Sequence, residues 1–181
     1  MKRFVTTVCC AALLAVPAFA QKAPKKAAAG AAMSDQDFVN FAAQTDMVEA
    51  NLGQLASTNG DSQAVKDFGQ TLNTDHTQDF GQLNTAAQQA GLTVPNAIDT
   101  EHNKTMIDPF QKLKGAAFDR KFAQEMVIGH TKAIAVYKKE AQDAQNPAIK
   151  NYAATALPTL QKHLETAKTL GHAGAAAKAV K

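Results

Sequence analysis

The sequence predicts an all-α protein, an antiparallel four-helix bundle, and three features carry that expectation. Apolar residues recur at three- and four-residue spacing through four long segments. Caps, glycines and prolines punctuate the places where those segments end. No stretch alternates apolar and polar residues as a strand would.

The first helix should begin at Ser34, whose hydroxyl can cap free N–H groups while Asp35 and Asp37 face the positive end of the helix dipole. Phe38, Phe41, Ala42, Thr45, Val48, Leu52, Leu55 and Ala56 then form one face. Asn59-Gly60-Asp61 should end it, Gly60 giving a left-handed stop and Asp61 the next cap. The second helix carries Val65, Phe68, Leu72, Leu83, Ala87 and Ala90 and stops at Gly91, so the short turn makes the first two helices antiparallel neighbours.

From Leu92 to Gly115 the chain contains Val94-Pro95 and Asp108-Pro109 and should cross the bundle, with Met106, Phe110 and Leu113 forming a short helix over one end. The third helix shows Phe118, Phe122, Met126, Ala133, Val136 and Tyr137. Asn146-Pro147 then supplies a cap and a proline at the first helical position. Ile149, Tyr152, Ala156, Leu160, Leu164, Ala167 and Leu170 mark the fourth helix as far as Gly171, with a kink or local break expected at Pro158.

The ends read differently. Lys2 and Arg3, an apolar run through Val16 and the ending Ala18-Phe19-Ala20 have the form of a secretory signal peptide over residues 1–20. A flexible Ala/Lys linker is expected at 21–33, the bundle at 34–171 and a flexible tail at 172–181. Both cysteines, Cys9 and Cys10, fall inside the leader, which leaves no thiol in the mature chain for a disulfide, a nucleophile or a metal. No later run is long and apolar enough to span a bilayer, so a soluble periplasmic protein is expected. Residues 34–172 carry 12 basic and 16 acidic side chains, a net of −4, which argues against nucleic acid as a partner.

Several polar residues fall on the apolar faces. On a helical wheel Glu49 points inward between Ala42 and Ala56, and His76 and Asp79 lie among Val65, Leu72 and Leu83, with Asp75 at the edge. His130 lies at a margin of the third helix's apolar face, and His163 falls between Tyr152 and Leu160 on the fourth. Pairing the first two helices about Gly60 leaves Glu49 and His76 roughly 7 Å apart along the axis, a gap that side chains leaning toward their own N-termini can close. The same construction about residue 144 brings His130 toward His163.

Three imidazoles with carboxylates suit zinc, iron, copper or manganese better than calcium, and facing helices of a bundle are where such sites are built. Glu49, Asp75, His76, Asp79, His130 and His163 are therefore the candidate metal ligands. The same residues suit a buried hydrogen-bond and ion-pair network that fixes helix register without a metal. Glu101-His102 and His172 should face solvent, and Met47, Met106 and Met126 are spaced as packing residues. Nucleotide-binding glycine loops and Gly-x-Ser-x-Gly are absent, so the common hydrolase and nucleotide chemistries lack their parts.

Four runs, DMVEANLGQLA, VKDFGQTLNTDH, GAAFDRKFAQEMVIGH and LPTLQKHLETA, resemble the family called domain of unknown function 4142. It is widespread among exported bacterial proteins, some labelled as outer-membrane proteins. The resemblance implies a ferritin-like bundle over Ser34 to Gly171, with Glu49, Asp75, His76, His130 and His163 at the family's motif positions, and the periplasm or outer membrane as its place. Ferritin-like di-iron proteins carry Glu-x-x-His on two helices, whereas this chain has Asp75-His76-x-x-Asp79, so iron oxidation is not implied. Three functions follow as expectations: transition-metal binding in the interior, a non-enzymatic envelope interaction or stress-response module, and a peroxide-consuming di-metal enzyme.

Overall fold

In the computed structural model, residues 33–179 are described, with side chains as far as Gly171. The expected signal peptide, most of the linker and the side chains of the tail lie outside the described residues. Four long helices dominate: α1 (Asp35–Asn59), α2 (Gln63–Ala90), α5 (Gly115–Asp143) and α6 (Pro147–Ala179). Two short ones, α3 (Thr100–His102) and α4 (Asp108–Gln111), flank a π-helical turn at Asn103–Ile107 in the crossover. The described residues contain no strand, and no helix among them is long and apolar enough to cross a membrane.

Polar caps define the ends. Ser34 Oγ accepts from Asp37 N at 3.1 Å, and Asn146 Oδ1 accepts from Ala148 N at 2.9 Å ahead of Pro147, both as the sequence indicates. Gly91 closes α2 in the left-handed conformation, at φ 68°. Gly60 does not: its φ of −63° and ψ of 154° are extended. Glycine is needed at 60 for space instead, since a Cβ there would meet Ala56 O at 2.7 Å.

The α2 cap is Ser62 rather than Asp61, with Ser62 Oγ accepting from Val65 N at 3.3 Å. The backbone N–H groups of Asp61 and Ser62 donate to the Asp119 carboxylate of α5 at 2.8 and 2.9 Å, a long-range partner that local sequence does not reveal. At the opposite end, the N–H groups of Gln145 and Asn146 donate to Asp35 at 2.9 and 2.7 Å. These two carboxylates place the start of α1 beside the end of α5, and the end of α1 beside the start of α5, so the two helices run antiparallel.

The crossover returns along α1 because two glutamines mimic backbone partners. Gln36 accepts from Thr93 N and donates to Thr93 O, and buried Gln44 accepts from Asp99 N and donates to Ala97 O. Phe110 then packs edge-on against Phe118, with ring centroids 5.6 Å apart, and covers one end as expected.

Helix α6 passes Pro158 without a break. Pro158 and Ala154, whose carbonyl loses its usual partner, both lie on the exposed side, where water can satisfy it. Helix α6 also continues beyond Gly171, the expected stop, to Ala179, through an alanine-rich run of high helix propensity.

The core comes in two apolar layers. One joins Phe38, Leu83, Tyr137, Ile149 and Leu160; the other joins Leu52, Phe68, Leu72, Phe118, Phe122 and Met126. Each such side chain contributes about 1.5–3 kcal/mol of burial. Between them lies a buried polar layer of Asp46, Glu49, His76, His130 and His163.

Helices α1 and α2 approach most closely at Gly53 and Gly69, where a Cβ on either would lie 2.5 or 2.6 Å from the other's carbonyl oxygen. Asn73 Nδ2 donates to Ala50 O at 2.9 Å beside this contact and fixes the height of Glu49 relative to His76.

Candidate metal centre

Each long helix sends at least one polar side chain to the same level. Glu49 comes from α1, His76 from α2, His130 from α5 and His163 from α6, and their residue exposures are 4%, 2%, 0% and 1%. The ring centroids of His130 and His163 are 5.2 Å apart, those of His76 and His163 5.3 Å, and those of His76 and His130 5.9 Å. One nitrogen from each ring lies within 4.8 Å of the other two.

The far side of every ring is held. His76 Nδ1 is 2.9 Å from Asp46 Oδ1, His130 Nδ1 is 2.9 Å from Met126 O, and His163 Nε2 is 2.8 Å from Asp75 Oδ2. A carbonyl or a carboxylate can only accept, so in each case the ring donates its N–H. That leaves His76 Nε2, His130 Nε2 and His163 Nδ1, all buried and without an aligned hydrogen-bond partner.

Glu49 Oε2 lies 2.9 Å from His76 Nε2 and 3.1 Å from His130 Nε2 without hydrogen-bond alignment to either, and it too is buried and unpartnered. Groups so near one another, yet not aimed as donor and acceptor, need a charge among them. A proton or a cation meets that need.

The titration behaviour follows from burial and charge. Burial alone would raise Glu49, but His130 and then His76 outweigh it and hold the carboxyl down at about 2. Burial would lower His76, but the Glu49 charge and the hydrogen bond to Asp46 lift it to about 10. Burial lowers His130 against the pull of Glu49, and it brings His163 down to about 4 against the bond to Asp75. Asp46 is raised to about 7 by burial, which outweighs its bond to His76.

At neutral pH His130 and His163 are thus neutral with free lone pairs, Glu49 is ionised, His76 is an imidazolium, and Asp46 is near the midpoint of its titration. Neutral imidazole is the form that ligates metal, and a second partner fixing the other ring nitrogen is the usual support of a metal-binding histidine. The three ring nitrogens form a group that could hold a metal ion, and Glu49 Oε2 lies beside two of them.

Asp75 and Asp79, expected among the ligands, stand outside the cluster. Asp75 backs His163, and Asp79 Oδ2 accepts from Tyr152 OH at 2.7 Å, while Tyr152 OH lies 3.2 Å from Tyr137 OH. His102 is exposed and pairs with Asp99, in keeping with its place in the crossover.

Asp46 is the participant that sequence reasoning missed. It stands four residues after Ala42 and three before Glu49, so the spacing of the α1 stripe contained the signal.

The family described as "Domain of unknown function (DUF4142)" matches residues 20–170. No curated protein sequence matches the chain. Among solved structures, CopM in its Ag-bound form is similar at TM-score 0.58 and 16% identity, over 76% of this chain and 94% of that one. CopM in its Cu(II)-bound form gives 0.57 and 14%, over 77% and 97%, and in its Cu(I)-bound form 0.58 and 16%, over 76% and 94%. At these identities the likeness is one of fold.

Proposed function

The chain belongs to the DUF4142 family, and from that premise we propose that it is an exported periplasmic bundle that binds one transition-metal ion between its four long helices. Glu49, His76, His130 and His163 are the ligands; Asp46, the Met126 carbonyl and Asp75 orient the rings. One observation carries this reading: four buried atoms from four helices converge with no aligned partner, while the opposite side of each ring is fixed. Three imidazoles and a carboxylate suit Cu(II) and Zn(II), and the usual order of divalent affinities puts Cu(II) first. Structures of the same fold that hold copper or silver support the choice. Residues 1–20 are the export leader and 34–171 the working domain.

Equilibrium dialysis of the mature protein against Cu(II), Zn(II), Fe(II) and Mn(II) tests it. The expected result is one ion per chain, held most tightly for Cu(II), with affinity weakened in His130→Ala and His163→Ala proteins that stay folded. Failure to retain any of the four ions, with no rise in melting temperature on their addition, would overturn it.

A second reading, an envelope interaction module whose polar layer is purely structural, is favoured by the lifted pKa of His76, since an imidazolium between Asp46 and Glu49 supplies the missing charge without a metal. It gives the opposite result in the same experiment: the histidine variants lose stability, and there is no metal to lose.

A further inference from the structure

We infer that metal ions reach the buried centre through the polar cleft between α2 and α6, with Asp75 as the carboxylate that passes them to His163. The inference rests on the metal-binding reading above. The cleft encloses about 190 Å3 and is lined by Asp75, Gln78, Asp79, Gln82, Thr155 and Thr159 among others. Its two charged residues are both acidic.

Asp75 joins this cleft to the centre. Its side chain is 34% exposed, yet its Oδ2 lies 2.8 Å from Nε2 of His163, whose side chain is 1% exposed. A single carboxylate therefore separates water from a buried ligand ring. Acidic walls raise the local concentration of cations. Amide, hydroxyl and carboxylate oxygens hold copper or zinc less tightly than imidazole does, so affinity rises along the path from the cleft to the ring nitrogens. His163 Nδ1, the nitrogen turned away from Asp75, is one of the unpartnered atoms, so an ion arriving on the Asp75 side needs only a rearrangement of this ring to join the cluster.

On the α1–α5 side the Glu49 carboxylate packs against α5: a Cβ at Gly129 would stand 3.2 Å from Glu49 Oε1, tighter than ordinary contact.

The test is kinetic. The sequence has no tryptophan, and its two tyrosines, Tyr137 and Tyr152, are buried in the bundle, so stopped-flow quenching of tyrosine fluorescence by Cu(II) reports loading. Thr159→Phe and Gln78→Phe place neutral bulk in the cleft from exposed positions. Each should slow both Cu(II) uptake and its release to a chelator by about tenfold or more, the scale on which an acidic cleft alters on-rates, leaving the equilibrium affinity unchanged. Gly81→Ala, on α2 with nothing within 4 Å of its added Cβ, should leave both rates as they were.

Unchanged rates in both plugged proteins would overturn the route. Weaker affinity with an unaltered on-rate would do the same, since the cleft would then be acting on the ligands and not on access. A wild-type protein that takes up no Cu(II) at equilibrium would instead remove the functional reading, and the route with it.

Discussion

The close contact of α1 with α2 makes the sign of a glycine-to-alanine change depend on position. An alanine at Gly53 would put its Cβ 2.5 Å from Gly69 O and 2.9 Å from Asn73 N, both rigid backbone. Ordinary contact needs roughly 3.5 Å, so the helices must part by about 1 Å. Overpacking of this kind costs about 1–3 kcal/mol, against a gain of about 1 kcal/mol for replacing glycine in a helix interior. Because backbone faces backbone, the upper figure applies, and Gly53→Ala should lose about 2 kcal/mol net.

Gly81, in the same pair of helices, has nothing within 4 Å of its would-be Cβ and lies exposed, so Gly81→Ala should gain up to about 1 kcal/mol. Thermal unfolding of the apoprotein reads both: a fall of about 4–8 °C for the first and a rise of a few degrees for the second. Parting the helices also draws Glu49 from His76, so Gly53→Ala should weaken Cu(II) binding while Gly81→Ala does not. Equal effects of the two substitutions, or a stabilised Gly53→Ala protein, would refute the packing argument.

Asp46→Asn removes the charge behind His76 Nδ1 but keeps the shape; loss of such a supporting group should weaken Cu(II) about 10- to 100-fold in a folded protein, read by competition with a chelator. Stability of the apoprotein should be greatest between about pH 4.5 and pH 7. Below that window the depressed Glu49 is protonated and its contribution is lost toward pH 2; above it the raised His76 loses its proton, and its contribution disappears as pH climbs to 10. Within the window Asp46, raised, costs stability as pH rises while His163, lowered, adds it, so the two offset. Metal-loaded protein should lack the alkaline decline, because the ion has already displaced the His76 proton; melting curves from pH 3 to pH 10 with and without Zn(II) check both statements. Asp119→Ala, which frees the two N–H groups at the α1–α2 turn, should cost about 1–2 kcal/mol without changing metal affinity, as measured by denaturant titration and dialysis.

Periodicity and caps made the helices legible, because a stripe at 3.6-residue spacing and a serine before an acidic turn act locally. Glu49, His76, His130 and His163 were legible for the same reason: each breaks an apolar stripe, and the leaning of side chains along their helices closes the axial gap. What acts between distant residues was not. The Asp119 and Asp35 carboxylates that cap far turns, and the glutamines that hold the crossover to α1, have no local signature. Asp75 and Asp79 sit at the stripe's edge, and a wheel gives direction without depth, so it could not separate a ring's supporting carboxylate from a ligand. Asp46 is masked in the sequence because the neighbouring Thr45 also satisfies the stripe. Gly60 shows a related limit, since a glycine after a helix marks either a left-handed turn or a tight approach, and only the neighbours across the turn decide which.

The central claim, that imidazoles from three helices and one carboxylate share an ion, is tested most directly by electron-spin-echo and EPR spectra of the mature protein loaded with one equivalent of Cu(II). Three coordinated imidazole nitrogens are expected, falling to two in His130→Ala. A spectrum with at most one imidazole, or one left unchanged by that substitution, would place the ion elsewhere and contradict the account.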